Sequence, residues 1–174
     1  MPIDHSTAER LVPLTNDSWG FESSCFVCEP RNASGLRIPF HHDVVGKRVV
    51  AEFSLDERFS GAPRYVHGGV LLAILDEAMA WATIAVAGSF AVTQETTSRF
   101  EHPVRVARVH SVRAEIVDVD DRAIHTRGMI VRDDGRRCVS ATATFVALDL
   151  EQASVAAGAE ITGDAASYAD GVPR

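Results

Sequence analysis

Between Val70 and Val86 the apolar residues Val70, Leu71, Ile74, Leu75, Ala78, Met79 and Ala82 recur at spacings of three and four, which places them on one helical face. Alanines occupy much of the remaining surface, so the spacing predicts a helix buried on most sides. Gly88 follows as a residue able to take positive φ and end it. On either side the period is two. Alternation around Leu36–Phe40 and Arg48–Leu55 predicts a strand pair with Gly46-Lys47 near its turn. Alternation over Val92–Phe100, Val109–Val119, Ala123–Val131 and Cys138–Leu148 predicts four longer strands. Asp120-Asp121 and Asp133-Asp134-Gly135 stand between the last three as hairpin turns, so the long strands read as an antiparallel meander. The order predicts an α+β domain in which a long twisted sheet covers its apolar face by wrapping around the single helix.

The ends read differently. Up to about Ser24, scattered Leu11, Leu14, Trp19 and Phe21 among polar residues suggest a short helix or arm over 1–24. From Glu151 the chain is rich in alanine, glycine and acids with little periodicity, which predicts a flexible or disordered tail over 151–174. That leaves 25–150 for the domain itself, and no internal repeat interrupts it. A chain of 174 residues, 46% hydrophobic, is sized for one core. Its net charge of -7 argues against a nucleic-acid partner, which requires a basic surface. No apolar run reaches the roughly 20 residues of a membrane span. Met1–His5 lacks the basic and apolar segments of a signal peptide, so the expected location is the cytoplasm. Three cysteines, Cys25, Cys28 and Cys138, are an odd number without an export signal and are expected to be reduced thiols.

The candidate chemistry lies between Gly61 and Ala78. Gly68-Gly69 directly precede the predicted helix, where free N–H groups of the first turn can receive an anion or a developing oxyanion. Asp76 is embedded in apolar helix, a costly place for a carboxylate without a task. Glu77, about 100° further round, reads as a solvated or interface charge. Gly68 and Asp76 are eight residues apart, about 12 Å of helical rise. A base and an oxyanion donor must each lie within about 3 Å of one reacting group. Two antiparallel copies of the helix related by a twofold axis meet that demand, so the expectation is a homodimer whose sites take Gly68 from one subunit and Asp76 from the other.

These residues resemble the hotdog-fold thioesterases of the PaaI type. The resemblance covers roughly Cys25 to Asp149 and rests on Tyr65-Val66-His67-Gly68-Gly69 and Leu75-Asp76-Glu77-Ala78, with support from Gly61, Thr93 and Arg99-Phe100-Glu101-His102-Pro103-Val104. It implies a hotdog fold and hydrolysis of an acyl-CoA to a carboxylic acid and CoA. It further implies that Asp76 acts as general base or nucleophile, that the Gly68 N–H polarises the thioester carbonyl, and that Thr93 places water or substrate. His67 and Gly69 would shape the substrate-binding turn. The expected assembly is the homodimer argued from geometry, with a homotetramer left open. The chain departs from some relatives in carrying no amide side chain in Gly61-Ala-Pro-Arg, where an Asn or Gln helps hold the carbonyl or the water.

Arg99, Arg105, Arg108, Arg132, Arg136 and Arg137 are candidates for meeting CoA phosphates. Cys25-x-x-Cys28 with His41-His42 brings zinc to mind, but a second Cys-x-x-Cys or a His-x-x-x-His is absent; neither a metal nor a cofactor is expected, and the cysteines read as small apolar or turn residues. Two competing classes are an acyl-CoA binding module without turnover and a hotdog lyase, whose differently placed histidine His67 does not reproduce.

Overall fold

The computed structural model describes residues 11–19 and 22–161. The strands are β1 (Leu11–Pro13), β2 (His41–Asp43), β3 (Arg48–Phe53), β4 (Ser60–Ala62), β5 (Tyr65–Val66), β6 (Ala91–Phe100), β7 (His110–Asp120), β8 (Ala123–Arg132) and β9 (Arg137–Ala147). The helices are α1 (Gly68–Ala85) and α2 (Leu150–Ala157). Seven strands form one antiparallel sheet in the order β1-β2-β3-β7-β8-β9-β6, and β4 pairs with β5 in a separate hairpin.

Helix α1 lies against this sheet and touches β3, β6, β7, β8 and β9. Ile74, Leu75, Ala78, Met79 and Ala82 are fully buried and share one core with Val112, Ala114, Ile130, Val139 and Phe145 from the strands. The two approach closely at Gly128 on β8, where a Cβ would sit 3.1 Å from Leu75 Cδ2 and 3.3 Å from Met79 Cγ. A bare Cα there lets the helix settle onto the sheet. Among the described residues α1 is the one helix long and apolar enough to cross a bilayer, and it serves here as the core of the domain.

The predicted helix and the four long strands stand within two residues of their expected bounds, and the α+β architecture is the expected one. Three expectations change. Leu36, Ile38 and Phe40 alternate into the core, but the strand partner of β3 is His41–Asp43. The 36–40 backbone bonds instead to the preceding loop, Leu36 N to Phe26 O at 2.7 Å and Ile38 N to Val27 O at 2.9 Å. The meander holds for β7, β8 and β9 only, since β6 pairs with the far side of β9 and becomes the sheet edge. The flexible tail expected from Glu151 begins with α2, capped by Asp149 and Gln152 side chains and ended by Gly158 at φ 67. Ala153 and Ile161 are buried, so the folded unit extends past 150; positions 162–174 of that expectation lie outside the described residues. At the other end β1 joins the sheet beside β2, while 1–10 lie outside the described residues.

Candidate active site

The hairpin β4–β5 delivers the chain to the start of α1. His67 is the N-cap, and its Nδ1 accepts from Gly69 N at 2.9 Å. Val70 N and Leu71 N both reach His67 O, at 3.0 and 3.2 Å. Gly68 is thereby left as the residue of the first turn whose N–H meets no acceptor among the described residues. Packing within the chain does not require glycine there, because a Cβ would make only ordinary contact with the Phe100 ring at 3.5 Å. Gly61 is different: a Cβ would lie 2.9 Å from His67 Cδ2 and 3.1 Å from its Cα, so glycine is what lets His67 pack this closely against the hairpin.

Two turns along α1, Asp76 is half-buried and accepts from Thr93 Oγ1 on β6 at 2.8 Å. A bulge makes this contact and the Phe100 contact compatible. Thr93 pairs with Phe145 and Phe100 with Val139, both buried, helix-facing residues, yet strict alternation would turn positions 93 and 100 to opposite faces. The register shift between Thr93 and Glu95 inserts Gln94 and brings both side chains to the helix side. One strand thus lines both ends of the candidate site.

Sequence reasoning placed Asp76, Thr93, His67, Gly68 and Gly69, and the structure gathers them into two clusters, His67-Gly68-Gly69 at the helix start and Asp76-Thr93 further along. Because α1 runs unbroken from Gly68 to Ala85, one copy keeps Gly68 and Asp76 about 12 Å apart along its axis. Of the candidate phosphate-binding arginines, Arg132 and Arg137 already pair with Asp134 and Glu101. Arg99, Arg105, Arg108 and Arg136 are exposed and form no ion pair among the described residues.

Glu77 corrects its expected role as a solvated or interface charge. It turns inward to Cys25, with Oε1 3.4 Å from Sγ, and burial, followed by the neighbouring Cys25, raises its pKa to about 7. The Cys25 thiol is lowered to about 5, first by its hydrogen bond with Cys28 and also by backbone N–H groups, while that same bond with Cys25 pushes Cys28 above the ordinary thiol range. All three cysteines are free thiols, as expected.

A single apolar helix embraced by an antiparallel sheet, with a glycine turn at its start and a hydroxyl-held carboxylate in its middle, is a hotdog domain. The family model described as "Thioesterase superfamily" matches residues 64–139, the stretch from the hairpin turn to β9. The chain is 26% identical over 119 residues to the acyl-coenzyme A thioesterase THEM4 of Mus musculus, covering 68% of this chain and 51% of that protein; it thus spans about half the length of the curated relative it matches. A solved thioesterase superfamily protein is 28% identical with a TM-score of 0.67, covering 79% of this chain and 69% of its own. The PaaI protein of E. coli shares the fold at 17% identity and a TM-score of 0.55, over 59% of this chain and 73% of that one.

Proposed function

We propose that the chain is an acyl-CoA thioesterase, hydrolysing the thioester to a free carboxylic acid and CoA at sites shared by two copies of the chain. The observation that carries this reading is the Thr93–Asp76 hydrogen bond beside a helix whose first N–H is open. Thr93 holds Oδ1 of Asp76 and leaves Oδ2 to accept a proton from water. The water oxygen then attacks the thioester carbon, and the carbonyl oxygen, now anionic, lies at the Gly68 N–H and the positive end of α1. Collapse of the tetrahedral intermediate breaks the C–S bond and expels the CoA thiolate, which takes up a proton. The same carboxylate is placed to attack the carbon directly, forming an anhydride that water then opens.

The shared site follows from distance, since one α1 cannot present both groups to one carbonyl. Strand β6 supplies a surface for the partner: it is a ten-residue edge strand, with Val92 and Phe100 about half exposed at 48% and 52%. A twofold beside it sets two copies of α1 antiparallel, so that the start of one lies beside the middle of the other. The superfamily match and the name of the mouse relative support the acyl-CoA reading. The test is release of free thiol from a panel of acyl-CoAs by wild type and Asp76→Asn. Turnover that falls by about 10²–10⁴ in the variant, the usual weight of a general base, supports the assignment. Turnover that survives removes Asp76 from the mechanism, and binding without any thiol release would make the chain a binding module.

A further inference from the structure

Cys25 and Cys28 lie on the loop before β2, and Glu77 lies in the middle of α1, 52 residues on from Cys25. The two sulfurs and a Glu77 carboxylate oxygen all fall within 4.8 Å of one another. The loop is wound so that Val27 N and Cys28 N both point at Cys25 Sγ, at 3.3 and 3.4 Å. Two amides on one sulfur favour the thiolate form and turn both cysteines to the same side. Outside this turn, Leu36 N and Ile38 N bind the carbonyls of Phe26 and Val27, and Asn32 Nδ2 binds Ser24 O at 3.0 Å. The three donors are therefore set by a built loop and a rigid helix.

We propose that Cys25, Cys28 and Glu77 form a binding site for a zinc-type divalent cation, which pins the cysteine loop to α1. Two thiolates and a carboxylate are ligands of the kind zinc takes in tetrahedral sites, at about 2.3 Å to sulfur and 2.0–2.2 Å to oxygen. Those lengths put neighbouring ligand atoms about 3.5–3.8 Å apart, and Cys25 Sγ already stands 3.4 Å from Glu77 Oε1. Water would supply the fourth tetrahedral ligand. Charge argues in the same direction. Three acids this close repel one another once ionised, and a dication replaces their protons and removes the repulsion.

A packing role for the cysteines does not account for the carboxylate. Two small apolar thiols need no glutamate drawn in against them, and burying Glu77 costs solvation that only a partner returns. A Cys25–Cys28 disulfide would consume both sulfurs and leave Glu77 facing no cation. His41 and His42, which the sequence set beside the cysteine pair, are not part of the group, so the carboxylate from the helix takes the place expected of imidazole. This inference revises the expectation that no metal is bound, and it holds whatever reaction Asp76 performs.

The test uses the full chain, kept reduced with a phosphine, stripped with a chelator and titrated with Co²⁺. The expected result is one cation per chain with thiolate-to-cobalt charge-transfer absorption and the visible bands of a tetrahedral site, bleached on adding Zn²⁺, together with a raised melting temperature in zinc. Cys25→Ser and Cys28→Ser should each remove most of the charge-transfer absorption. Glu77→Gln should keep it while weakening zinc by at least about tenfold, the loss that even an outer-shell partner brings. The wild-type titration depends on no variant folding: absence of stoichiometric binding there overturns the proposal. So does binding that the cysteine and glutamate substitutions leave unchanged, which would place the cation elsewhere.

Discussion

Thr93 Oγ1 donates to Asp76 Oδ1 across 2.8 Å, joining an exposed residue of the sheet edge to a half-buried one on the central helix, 17 positions apart in the chain. The bond fixes which carboxylate oxygen is committed and which is free, and it exists because the bulge at Gln94 turns Thr93 inward. Thr93→Val keeps the β-branched shape and removes the donor. A misaligned base costs turnover rather than binding, so kcat should fall about tenfold, the equivalent of losing a single hydrogen bond to a charged group, with KM little changed. Steady-state kinetics check the split, and a rise in KM alone would make Thr93 a substrate contact instead.

The shared-site geometry can be tested by complementation. Gly68→Pro removes the proposed oxyanion donor at a position where proline suits the first turn of a helix. Asp76→Asn removes the base. Each variant alone should lose about a hundredfold or more. When the two are mixed and allowed to exchange subunits, half of the dimers are hybrids with one intact site, so about a quarter of wild-type activity should return. If both groups acted within one chain, mixing would restore nothing.

The sequence made some features of this molecule legible and hid others for physical reasons. Period alone located α1 and the four long strands, because each element runs for ten or more residues, long enough for its repeat to stand out. Period says which way a side chain points and not which strand lies next to it, so β6 was placed in the meander when it crosses to the far side of β9. Leu36, Ile38 and Phe40 show the same limit, since their burial was readable and their loop partners were not. Helix α2 did leave a local signal: Asp149-x-x-Gln152 is a capping box, and Gly158 stands at its end, but alanine-rich composition masked both. Asp76, Thr93 and the His67-Gly68-Gly69 turn were visible through motif and spacing. The inward turn of Glu77 was not, because it depends on a loop 52 residues away.

Gly61 is expected to act on the oxyanion turn without touching the reacting atoms. Its Cα faces His67 so closely that an added methyl would lie 2.9 Å from Cδ2. Gly61→Ala must push the imidazole aside, freeing Gly69 N from Nδ1 and loosening the first turn of α1. The cap is worth about 1 kcal/mol, so the melting temperature should drop by a few degrees and kcat should fall several-fold. A combined Gly61→Ala, His67→Ala protein should lose less than the sum of the two single losses, since both changes remove the same cap; fully additive losses would show that Gly61 matters for another reason.

His110 makes the stability of the fold sensitive to acid. It is buried on β7, stacked on Phe53 with ring centroids 5.9 Å apart, and its Nδ1 lies 3.0 Å from Arg108 O. A carbonyl accepts, so Nδ1 carries the proton and Nε2 keeps its lone pair, with no partner among the described residues. Burial holds the imidazole pKa below its ordinary 6.5, opposed by the Arg108 carbonyl and the charge of Asp133 and reinforced by Arg132. Protonating Nε2 would bury an N–H with nothing to receive it. The sign follows from proton counts: below pH 6.5 the unfolded chain binds a proton at this histidine that the folded chain refuses, so folding stability falls as pH drops through that range and is fully present above it. His110→Phe removes the titration and keeps an aromatic ring against Phe53. Urea unfolding midpoints measured from pH 7.5 down to 5 should fall less steeply for the variant than for wild type, and parallel curves would show that the acid sensitivity arises from other groups.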